Sequence, residues 1–131
     1  MAGFARFGLV KTVAVLGASA DRAKFSNQAV RAYQRAGFTV YPINPREVLL
    51  EGLVCYPNPS ALPGRPQRFS VYLPPPKVLE LLPAIAARGC DELWLNPGTE
   101  SPAVLEAAAA LGLNVIQACS LRAMGGPAEE S

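Results

Sequence analysis

A chain of 131 residues has room for one domain around one core, and half of its residues are hydrophobic while only 17% are charged, a composition that argues against disorder. Twelve Lys and Arg against ten Asp and Glu leave a net charge of +2, too balanced for a protein whose main partner is nucleic acid. The absence of histidine excludes an imidazole acid or base, a His-based triad, a phosphohistidine and a His-ligated metal.

Cys55, Cys90 and Cys119 are an odd number, far apart and without CxxC spacing. That pattern fits reduced thiols better than a disulfide framework or zinc site, and no metal is expected. Met1 to Val10 carries only Arg6 as charge and lacks the apolar stretch of a targeting segment. No run approaches the ~20 apolar residues of a membrane span. The expectation is a soluble cytoplasmic protein with no nucleic-acid or membrane partner.

Thr12 to Gly17 is a continuous apolar run, the pattern of a strand buried on both faces. A polar loop follows, and Ser26 is placed to cap a helix reaching about Ala36, with Gly37 as its stop. Ala29, Val30 and Tyr33 give that helix an apolar stripe, and Arg31, Gln34 and Arg35 are expected to face water. Phe38 to Ile43 is the second strand, with Pro42 expected near its end because proline lacks an N–H. Glu47 to Gly64 is interrupted by Gly52, Pro57, Pro59 and Pro63. It accommodates at most a short strand at Val54 to Tyr56 and one helical turn.

Arg68 to Leu73 is the third main strand, stopped by Pro74, Pro75 and Pro76. Val78, Leu81, Leu82 and Ile85 then recur at helical spacing, with Pro83 predicting a kink or a late start. Asp91 to Leu95 is the fourth strand. Ser101 caps the next helix with Pro102 at its first position, and Val104, Leu105, Ala108 and Leu111 are its expected buried face. Asn114 to Gln117 is the fifth strand. Residues 1–10 read as an N-terminal extension and 125–131 as a flexible tail around one domain.

Strands alternating with helices predict βαβ units: an α/β, doubly wound, Rossmann-like domain with a parallel sheet of about five strands. In such a sheet ligands bind beyond the carboxyl ends of the strands. The loops expected there carry Gly17, Ala18, Ser19, Ala20, Asp21, Arg22, Lys24 and Ser26 after the first strand, and Asn44, Pro45 and Arg46 after the second. Leu73, Pro74, Pro75 and Lys77 follow the third, and Asn96, Pro97 and Gly98 the fourth. Hydroxyls, helix N-termini and the cations Arg22, Lys24, Arg46 and Lys77 point to an anionic ligand, a phosphorylated nucleotide.

Each feature also has a plain structural reading. Gly17 can serve only a tight turn, and Asn44-Pro45 and Asn96-Pro97-Gly98 can be turn chemistry alone. Trp94 reads as sheet packing and Cys119 as an inert buried thiol. The first loop does not match GxGxxG, and GxxxxGK[ST] is absent, so ATP or GTP hydrolysis is not expected. No acid follows the second strand to hold an NAD ribose. Arg46 instead suits an extra ribose phosphate, the 2′-phosphate of NADP or the 3′-phosphate of coenzyme A.

Val15 to Ser19, Lys24 to Asn27 and Tyr41 to Arg46, followed in order by Val71 to Pro75, Leu93 to Gly98 and Val115 to Cys119, resemble the small stand-alone CoA-binding domain proteins. These are similar to the CoA-binding domain of the succinyl-CoA synthetase alpha subunit. The resemblance implies CoA or acyl-CoA bound across the carboxyl edge. Ala18 to Asp21 would form the phosphate loop, Arg46 would lie near the phosphates, and Leu73-Pro74-Pro75 and Asn96-Pro97-Gly98 would line the arm. The synthetase's second glycine is missing from the first loop, and the segment after Cys119 departs from the family pattern. The expected activity is binding without catalysis. An NADP-binding small reductase and a regulatory module without ligand are the alternatives, and the expected partners are a small-molecule nucleotide ligand and either a second copy in a homodimer or an unidentified protein.

Overall fold

The computed structural model describes residues 11–124, so the expectations for the two chain ends lie outside the described residues. Five strands form one parallel sheet: β1 (Thr12–Leu16), β2 (Thr39–Ile43), β5 (Arg68–Val71), β6 (Glu92–Leu95) and β7 (Val115–Gln117), in the order β2-β1-β5-β6-β7. Strand order therefore reverses between β1 and β5. This is the doubly wound, Rossmann-like α/β architecture expected from the alternation of elements.

Because strand side chains alternate, β1 sends Ala14 and Leu16 to one face and Val13 and Val15 to the other. On the first face α2 (Pro75–Arg88) and α3 (Pro102–Ala110) cover Phe69, Val71, Leu93 and Leu95 through Val78, Leu82, Ile85, Val104 and Ala108. On the second, α1 (Phe25–Arg35) and the short α4 (Ser120–Ala123) bring Ala29, Val30, Tyr33 and Leu121 onto Val13 and Val15. No helix among the described residues is long and apolar enough to cross a membrane.

Several local expectations are corrected. Ser26 does not cap α1: the helix begins at Phe25, Lys24 occupies the N-cap position, and Ser26 is buried in the first turn. Arg31 does not simply face water, since its Nε donates to Asn27 Oδ1 (2.8 Å) and its Nη2 to the Arg22 carbonyl (2.8 Å). The helix α2 starts directly at Pro75 and runs through Pro83 to Arg88, not late. Pro83 lies on the exposed side of the helix, away from the core contacts of Val78, Leu82 and Ile85. Leu111 is exposed beyond the last turn of α3, not on its buried face, whereas Ser101 does cap that helix, accepting from the Val104 N–H (3.1 Å).

The stretch after β2 forms a hairpin of β3 (Leu49–Leu50) and β4 (Leu53–Val54). Glu51 and Gly52 both have positive φ (51° and 78°), as a two-residue turn with the twist of a hairpin requires. The expected strand at Val54 to Tyr56 is shifted: Leu53 and Val54 pair in the hairpin, while Tyr56 makes an isolated bridge to Ile43. The one helical turn is the 3-10 segment Pro59–Ala61, capped by Asn58. Pro42 sits in the outermost strand, next to its end, so its missing N–H breaks no ladder, and its carbonyl accepts from the Tyr56 N–H (2.9 Å).

Candidate functional site

The loops after β1 and β5 face each other where strand order reverses, and the reason they approach so closely is Gly17. It has φ +87°, and a Cβ there would stand 2.4 Å from the Tyr72 carbonyl oxygen. A cavity of about 550 Å³ opens above this point, within the usual range of small-molecule sites. Gly17, Ala18 and Ser19 form its floor on the β1 side; Lys24 and Ser26 stand at the start of α1. Asn44 and Pro45 come from the end of β2, and Tyr72, Leu73 and Lys77 from the β5–α2 junction.

Of the residues expected to bind phosphate or flank a nucleotide, the fold thus gathers Gly17, Ala18, Ser19, Lys24, Ser26, Asn44, Pro45 and Leu73 in one cavity. Ala20, Asp21, Arg22, Arg46, Pro74 and Pro75 do not line it; Asn96 and Pro97 line a neighbouring cavity, and Gly98 lines neither. Arg22 turns to Glu51 (3.2 Å). Arg46 is exposed just beyond the rim residues Asn44 and Pro45. Lys77 lines the cavity but pairs with Glu80 (3.2 Å), while Lys24 makes no ion pair among the described residues.

The amides divide in a way that spacing did not reveal. The Gly17 and Ala18 N–H groups both donate to the Ile43 carbonyl (3.2 and 3.1 Å). At α2, Pro75 and Pro76 have no N–H, and the Lys77 and Val78 amides donate to the Pro74 carbonyl. The start of α1 is different. Lys24 supplies no side-chain cap, and the first turn contains no acid. The helix dipole and the uncapped first-turn amides therefore favour an anion there.

Asn27 was absent from the expected site residues, yet it shapes the loop. It is fully buried, donates to the Ser19 carbonyl (2.8 Å) and Glu51 Oε2 (2.9 Å), and accepts from Arg31. The pairing of a buried amide with a glutamate from a distant hairpin left no signal in local spacing. Asn44 works similarly, donating to the Ala18 carbonyl (2.8 Å) and accepting from the Arg46 N–H (2.7 Å). Together they fix the β1 loop against β2 and the hairpin.

Asn96 is a tie within the sheet edge. Its amide donates to Ser70 Oγ (3.0 Å) and the Val71 carbonyl (2.8 Å), and its Oδ1 accepts from the Ser120 N–H (2.8 Å). Its side chain is thus engaged with β5 and α4. Ser120 continues the network to Ser70 (2.8 Å) and Tyr33 (2.9 Å). The Tyr72 hydroxyl is buried close to Ser70 and Ser120 but makes no hydrogen bond of good geometry among the described residues. Burial raises its pKa above the ordinary range of tyrosine.

Cys119 is half-buried and lines the neighbouring cavity, so it is not the fully buried thiol expected. Trp94 packs on the sheet as expected: Arg68 stacks on its ring at 4.1 Å, and its indole N–H donates to Glu92 (2.9 Å). All three cysteines are free.

A family model described as a CoA binding domain matches residues 11–125. Among solved structures, a conserved hypothetical protein from Pyrococcus furiosus is 30% identical, with a TM-score of 0.76 over 80% of this chain and 90% of its own. A Thermus thermophilus protein is 28% identical, with a TM-score of 0.80 over 93% of this chain and 94% of its own. A dinucleotide-forming acetyl-coenzyme A synthetase from Ca. Korarchaeum cryptofilum is 27% identical with a TM-score of 0.74. That match covers 86% of this chain but 27% of the synthetase. No curated protein matches the chain.

Proposed function

The chain belongs to the CoA binding domain family, and from that premise we propose that it binds coenzyme A or an acyl-CoA at the β1–β5 switch point, without catalysis of its own. The observation that carries this reading is the cavity where Ser19, Lys24, Ser26 and the uncapped start of α1 converge. Lys24 and the α1 dipole meet the diphosphate, and the hydroxyls of Ser19 and Ser26 donate to its oxygens. Asn44, Pro45 and Leu73 flank the nucleotide. Arg46, exposed beyond Asn44 and Pro45, takes the ribose 3′-phosphate. The pantetheine arm leaves over Tyr72 toward Pro97.

Thermal stabilisation by CoA, dephospho-CoA, NADP and NAD, measured side by side, tests the reading. CoA at about 100 times its dissociation constant adds roughly 2.7 kcal/mol of stability. Arg46→Ala weakens CoA more than dephospho-CoA. Stabilisation by NADP and not CoA sinks the assignment and favours a reductase; no stabilisation by any of the four favours a module without ligand. Equal weakening of CoA and dephospho-CoA by Arg46→Ala removes the 3′-phosphate contact.

A further inference from the structure

A second cavity of about 550 Å³ lies beside the first. Tyr72 lines both, and the start of α1 is shared between them residue by residue: Lys24 and Ser26 line the first, Phe25 the second. The two cavities therefore adjoin at Tyr72 and at the first turn of α1. Its walls are the rings of Phe25, Tyr72 and Pro97 with Leu121, and Phe25 is 62% exposed although it is apolar. Asn96 also lines it, but its amide is already spent on Ser70, Val71 and Ser120. The one cation in the lining is Arg122, exposed and without an ion pair among the described residues.

An apolar wall with one exposed guanidinium, unpaired among the described residues, is complementary to a short aliphatic chain ending in an anion. We propose that this second cavity receives the acyl group of a CoA thioester whose chain ends in a carboxylate, and that Arg122 pairs with that carboxylate. The inference rests on the CoA reading above, and it adds the class of acyl group.

The test is calorimetric titration at low salt of the wild type, Arg122→Gln and Phe25→Ala with CoA, pentanoyl-CoA and glutaryl-CoA. The two thioesters share a five-carbon acyl chain and differ in the terminal carboxylate. The wild type binds glutaryl-CoA about fivefold more tightly than pentanoyl-CoA, as a partly exposed ion pair provides, and added salt shrinks the difference. Arg122→Gln abolishes the preference, and Phe25→Ala weakens both thioesters relative to CoA. Equal affinity of the wild type for both thioesters, or a preference that survives in Arg122→Gln, overturns the acyl assignment while CoA binding stands. Failure of the wild type to bind CoA at all would instead overturn the underlying reading and this one with it.

Discussion

No side chain fits at Gly17. Its positive φ strains any L-residue, and the carbonyl of Tyr72 occupies the place of a Cβ. Gly17→Ala is expected to destabilise the protein by about 1–3 kcal/mol from backbone strain, and to lower CoA affinity by forcing the β1 and β5 loops apart. Urea unfolding gives the first quantity, and an unchanged midpoint would contradict it. Cys90 reports differently. Burial pushes its thiol up from the ordinary 9.0 to about 11. The folded state thus resists ionisation that the unfolded chain accepts. The stabilisation is complete below pH 9 and is lost as pH rises toward about 11. Cys90→Ala should flatten the unfolding midpoint over that window; a slope equal to wild type would show that other groups govern it.

At the scale of elements, periodicity located the five strands of the sheet and the three longer helices, because buried runs and amphipathic stripes are properties of consecutive residues, but not the four-residue α4, which is too short to show a period. Proline and cap chemistry were less legible. Pro83 stands in the interior of α2, where a kink or a late start was expected, and the helix begins eight residues before it with Pro83 on the exposed side. Pro83→Ala restores an N–H to the helix ladder. It is expected to stabilise by about 1–2 kcal/mol, less than the ~3 kcal/mol of an interior proline because proline also stiffens the unfolded chain. Differential calorimetry measures it, and a lowered melting temperature would show that Pro83 packs better than alanine. The hairpin at Leu49–Val54 escaped notice since Glu51-Gly52 lacks the Asn or Asp that usually announces such a turn. Its reason lies elsewhere: Glu51 bonds to Asn27 and Arg22.

Over the whole molecule, the two apolar clusters on either side of one sheet set the order of opening. The buried central strands β1 and β5 should exchange amide hydrogens only on global unfolding, while the exposed stretch 20–24 exchanges by local opening. Bound CoA should slow exchange at residues 19–27 and leave the amino-end loops unchanged. Slowing confined to the β6–β7 side would place the ligand elsewhere. Such an experiment reads the cleft as a unit, which no single substitution does.

The sequence by itself determined the class of fold, the place of five strands, and which loops stand at the carboxyl ends of those strands. These follow from spacing between neighbours in the chain. Only the tertiary structure decided which loops meet. The order β2-β1-β5 brings Gly17 against Tyr72 and leaves Lys24 at the cleft, while the hairpin draws Arg22 away to Glu51. It likewise turned Asn96 inward to satisfy Ser70, Val71 and Ser120. Whether a polar side chain serves a ligand or a neighbour depends on the unpaired groups that packing brings beside it, and those come from distant parts of the chain.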